Sequence, residues 1–243
     1  MAAADNFTYS NPYATSLSSE PVYNYSQPIP TYVESQPVQT VVINGTPDQV
    51  PATPGLVDPS ATAPAAEQPP DQAATSEDPK IKEATGLFDQ ARESFKRSDY
   101  SGAKKMVDKA IGVLPQDRAL HEFRALVLFA ERDYSNAAAA LYAVLAAGPG
   151  WNWDTIKSFY PDVDTYTQQL RALEADARDK PKSADDRFVL AYHYFVLGQT
   201  DAAAKQLEAV TQLQPGDKLS AQMLAALKPK PSGSDDRPTA TPG

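Results

Sequence analysis

The chain contains no cysteine, only two histidines and two tryptophans, and no apolar run near the ~18 residues needed to cross a bilayer as a helix. Without cysteine there are no disulfides, thiolate zinc sites, iron–sulfur clusters or cysteine nucleophiles. The opening MAAADNFTYS lacks both the basic region and the apolar core of an export signal, so a cytoplasmic location is the default expectation. Lys and Arg are absent from residues 1–79, which hold nine acids and 13 of the 22 prolines. The net charge of −9 therefore belongs to the N-terminal third, because acids and bases balance after it. With no basic stripe to release counterions, nucleic-acid binding is not expected.

Proline removes backbone donors, and a Pro-, Ser-, Thr- and Gln-rich stretch buries too little surface to offset its ordering entropy. Residues 1–78 are thus expected to form a disordered acidic arm whose deletion leaves stability unchanged. Five tyrosines (Tyr9, Tyr13, Tyr23, Tyr25 and Tyr32) punctuate it, and VQTVVINGT (38–46) is a β-prone run suited to adding a strand to a partner's sheet. Asn6, Asn24 and Asn44 head N-x-Ser/Thr triplets, which chance explains in so Ser/Thr-rich a segment.

Composition changes abruptly at Asp78-Pro79, where a capping carboxylate precedes a first-turn proline. From there to Lys228, Ala, Leu and charged residues recur in helical period; residues 229–243 read as a polar tail. Self-similarity is the strongest signal. Asp99-Tyr100 recurs 34 residues on as Asp133-Tyr134, and Pro115, Pro149, Pro181 and Pro215 close successive segments. Small residues pair 12 apart at Ala91/Ala103, Ala125/Ala137 and Ala191/Ala203. One helix face continues at Val107 and Ala110, Leu141 and Val144, and Leu207 and Val210. Ala139 and Ala140 fall on the outward face of this frame.

A helix–turn–helix of this length with these positions resembles the tetratricopeptide repeat. The resemblance covers about residues 80–215 and implies an all-α superhelix of three to four helix pairs, with LSAQMLAALK (219–228) as a capping helix. The family's large apolar residue early in the first helix is Leu87 in one segment but His121 and Arg187 in the others. The segment between Pro149 and Pro181 is degenerate, because Pro161 cuts its first helix.

The resemblance further implies that the first helices line a concave groove for a protein or peptide partner. Lining positions are Phe88, Arg92 and Phe95, then Glu122, Leu126 and Phe129, then Phe188, Tyr192 and Phe195. These rings read equally as an aromatic column gripping a peptide or as core shared between repeats. Trp151 and Trp153, in GPGWNWD, read either as interface anchors or as plugs beside the broken helix. The acidic arm is a candidate ligand in cis, its carboxylates facing Arg92.

Catalytic constellations are weak. His121 and His193 sit in different repeats, Asp162 and Asp164 flank a helix start, and no phosphate loop, HExxH or GxSxG occurs. No catalytic residue, cofactor or metal is expected, and the chain reads as a monomer or a weak self-associator. The rival readings are a structural or envelope-associated protein whose arm is the working part, or the C-terminal part of a longer exported one.

Overall fold

In a computed structural model of the chain, residues 8–14, 22–30 and 78–228 are described. The helices are α1 (Pro79–Lys96), α2 (Tyr100–Val113), α3 (Arg118–Ala130), α4 (Tyr134–Ala147), α5 (Trp153–Phe159), α6 (Val163–Asp179), α7 (Ala184–Val196), α8 (Thr200–Leu213) and α9 (Lys218–Leu227). No strand occurs among the described residues.

Local chemistry explains the repeat. Asp99 and Asp133 are N-caps whose carboxylates accept from Gly102 N and Asn136 N. The residues just before them, Ser98 and Arg132, take left-handed backbone with φ of 60° and 62°, as does Gly198 with φ of 72°. At each of these helix ends the next amide reaches back to close the turn: Asp99 N to Ser94 O, Asp133 N to Leu128 O and Gln199 N to Tyr194 O. The three pairs α1/α2, α3/α4 and α7/α8 thus share one corner. The paired alanines are all buried to 1% exposure or less, and the apolar positions after them fill the space between partners. Small residues there let the two backbones approach.

Successive pairs stack in one row, α3 on α2, α7 on α4 and α9 on α8. The degenerate segment does not take a place in that row. Gly148 turns the chain out of it at φ 155°, where an added Cβ would run into Arg118 Nη1. Arg118 Nη2 donates to Pro149 O at 2.6 Å and Glu122 Oε1 accepts from Trp151 N at 2.6 Å, pinning the connection to α3. The pair α5–α6 is thereby laid across the first helices. Phe159 meets Phe88 and Phe123, Tyr160 meets Phe95, and Tyr166 meets Phe129 and His193.

The arm departs from expectation in two stretches. Residues 8–14 and 22–30 pack on α3, α4 and α7, with Tyr13 and Tyr25 each 1% exposed and Ile29 3%. Composition averages over the whole arm, whereas a few tyrosines suffice to dock these two stretches. Asn11 Oδ1 accepts from Tyr13 N, and Asn24 Oδ1 accepts from Ser26 N, so each stretch folds around an asparagine turn. Asn24, which heads the second of the three N-x-Ser/Thr triplets, is therefore a turn former. Asn11 Nδ2 donates to Ala139 O at 2.8 Å, and Ala139 and Ala140 are fully buried rather than outward-facing. The 38–46 run, Tyr32 and the 229–243 tail lie outside the described residues.

Candidate protein-binding face

Helix α3 shows how completely the expected groove is filled. Every residue from Leu120 to Phe129 is buried, because α2 and α4, the α5–α6 pair and the arm cover it from different sides. At 100° per residue, Leu126 and Phe129 share a face turned toward α5–α6, while His121 and Arg124 share another turned toward the arm.

Phe95, Leu126 and Phe129 are consequently core, at 1%, 4% and 1% exposure. Phe188 is fully buried and stacks on Tyr13 at 5.0 Å. Phe88 is half-buried, edge-on to Phe123 at 5.1 Å, and Trp153 is edge-on to Tyr166 at 4.8 Å. The Arg92 guanidinium lies over Phe88 and Phe159 and pairs with Asp89 at 3.4 Å. In the described stretches tyrosines make contacts on His121, Arg124, Tyr142, Phe188 and Asp217, while the arm's acids before Asp78 lie outside the described residues.

Trp151, Tyr192 and Phe195 are the three expected residues that meet at an opening. With Leu145, Leu219, Met223 and Leu227 they line an apolar cavity of about 250 Å³ between α7, α9 and the 148–151 connection. Phe195 is 49% exposed. Its floor is fixed by Glu122, 2% exposed, whose Oε1 accepts from both Trp151 N and Tyr192 OH, the latter at 2.7 Å. Burial raises the Glu122 carboxyl above its ordinary range, and burial beside that carboxylate pushes the Tyr192 phenol well up. Gly150 permits the approach, since a Cβ there would sit 2.9 Å from Glu122 Oε1 and 3.0 Å from Tyr192. The α9 contribution was hidden in sequence because Met223 and Leu227 read simply as a cap.

Both histidines are spoken for. Tyr25 OH bonds His121 Nδ1 at 3.0 Å and Pro115 O bonds Nε2 at 2.8 Å, while Tyr166 OH bonds His193 Nδ1 at 3.1 Å. Burial lowers both, His193 to about 3. The family departure at His121 is thus accounted for by Tyr25. That at Arg187 is accounted for by Pro181 O, which accepts from Nε and Nη2 at 3.0 Å. Asp162 caps α6 through Thr165 N. Among the described residues, no cluster of three or more His, Asp or Glu is placed to hold a metal, and no helix is long and apolar enough to cross a membrane.

A family model described as "Tetratricopeptide repeat" matches residues 88–150, from within α1 through α4. No curated protein matches the chain. This match supports tetratricopeptide repeats over α1–α4, whose corner α7/α8 repeats; such repeats generally mediate protein–protein interaction and are typically non-catalytic.

Proposed function

We propose that the chain captures a protein partner by taking one large apolar side chain of an exposed segment into the Trp151–Tyr192–Phe195 cavity. The observation that carries this is the cavity itself: apolar walls, an exposed phenylalanine at its mouth and a floor held by Glu122. Its volume lies below the ~300–1,000 Å³ of small-molecule sites and suits a single anchoring side chain. Preorganisation adds to affinity, because neither Trp151 nor Tyr192 has to be ordered on binding.

The binding role thereby moves to one end of the first-helix face. Phe95, Leu126 and Phe129 act through the core that supports it, and Phe88, Arg92 and Trp153 stand at the α5–α6 contact. Peptides selected from a random display library on the intact chain are expected to share an aromatic or aliphatic anchor. Phe195→Asp should weaken them at least ~30-fold, the scale of ~2 kcal/mol for an interface hot spot. Peptides that bind both forms equally would place the partner surface elsewhere.

A further inference from the structure

The face on the arm side of α3 carries two tyrosine sockets of related construction. In one, Tyr13 stacks on Phe188, meets Tyr142 edge-on at 5.9 Å and donates its hydroxyl to Asp217 Oδ2 at 2.9 Å. In the other, Tyr25 bonds His121 Nδ1, and Arg124, itself held by Asp108 at 2.7 Å, lies 5.6 Å over the Tyr25 ring. Asp108 and Tyr142 stand 34 residues apart, on α2 and α4, so the sockets recur at successive junctions between stacked pairs. Asn11 Nδ2 clasps the two stretches by donating to Tyr25 O at 3.0 Å while also holding Ala139 O.

None of these bonds depends on which molecule supplies the arm. The docked stretches join the helices only through residues 31–77, and the bonds link parts of the chain 96 to 204 positions apart. We infer that this face is an interaction surface for a second copy of the chain, whose stretches 8–14 and 22–30 take the place of the resident ones. The occupant is a paired asparagine–tyrosine turn, and the swapped dimer satisfies the same buried hydroxyls as the monomer. Since the two states share their contacts, the balance is set by the concentration of the chain against the effective concentration of its own arm. Dilute chain is therefore closed on itself, and crowded or scaffolded chain trades arms.

The absence of cysteine makes the test direct. Ser10→Cys, at an exposed arm position, carries a donor dye on one full-length chain; Lys218→Cys, beside the Tyr13 socket, carries an acceptor on another. After equilibration, transfer between the mixed chains should be absent at micromolar concentration and rise steeply toward millimolar. Excess synthetic peptide 8–30 should abolish it, and the same peptide with Tyr13→Ala and Tyr25→Ala should not. No transfer at millimolar concentration would overturn the inference. So would transfer that both peptides remove equally, or that the unmodified peptide leaves untouched, because the copies would then be meeting through another surface.

Discussion

Tyr13 lies nearly flat on Phe188, ring centroids 5.0 Å apart and planes at 25°, which ties the start of the chain to its seventh helix. The same phenol is buried against the Asp217 carboxylate, and burial raises it above the usual phenol range, so it remains a hydrogen-bond donor to Asp217. The arm's first stretch is thereby part of the core.

Removing it should cost stability. Tyr13→Ala is expected to destabilise by about 2–4 kcal/mol, since a fully packed ring is lost and Asp217 loses a buried donor. In a domain this size that lowers Tm by about 4–16 °C in a calorimetric scan. Deleting residues 1–31 should lower it at least as far. An unchanged Tm would show that the arm docks without contributing to the fold.

Ala139 tests the same contact from the helix side. Ala139→Leu should destabilise by about 1–3 kcal/mol, comparable with Ala125→Leu or Ala137→Leu, because all three sites are closed. It should also raise amide exchange in residues 8–14, which the other two substitutions leave protected. Equal exchange in all three variants would contradict the position of Asn11 on Ala139.

Acid stability has two opposed components. His193 titrates near 6.5 when unfolded and near 3 when folded, so between those values the unfolded chain binds the extra proton and stability is lost as the pH drops. Asp186, raised by burial from 3.8 to about 6, works in reverse: its contribution is present below pH 3.8 and lost as pH rises to 6. Denaturant melts across pH 3.5–7 should therefore show His193→Gln flattening the acid-side loss. Asp186→Asn should gain on the order of 2 kcal/mol at pH 7 relative to pH 3.5. Parallel profiles for wild type and both variants would remove these groups from the account.

Glu122 holds the cavity floor. Glu122→Ala strands Trp151 N and Tyr192 OH, and should cost about 2–4 kcal/mol and red-shift the tryptophan emission as the 148–151 connection loosens. Glu122→Gln keeps one acceptor oxygen and should retain the wild-type emission at a smaller cost in stability.

What the sequence disclosed was local and periodic. Asp99 and Asp133 cap helices, their tyrosines begin them and the paired alanines set helix approach, so each leaves a mark at a fixed spacing. The path of α5–α6 left none, because it depends on Arg118 and Glu122 gripping a connection about thirty residues away. The arm was hidden for a similar reason: Tyr13 and Tyr25 are buried by partners remote in the chain, while their neighbours are Ser, Pro and Asn. Two signals did point to a covering segment. NAAAALYAVLAA (136–147) is apolar all round, the mark of a helix buried on every side. His121 stands at a position built for an apolar side chain, and a buried imidazole needs partners.

The proposed recognition site lies at the open end of the first-helix face, beyond α5–α6. With only two tryptophans in the chain, a Trp153→Phe variant leaves Trp151, at the cavity wall, as the sole indole. Titrating that variant with a library-selected peptide should shift Trp151 emission saturably, with the same dissociation constant as direct binding, and Phe195→Asp should abolish the shift. If the peptide binds with undiminished affinity while Trp151 stays silent and Phe195→Asp has no effect, the cavity is not the recognition site.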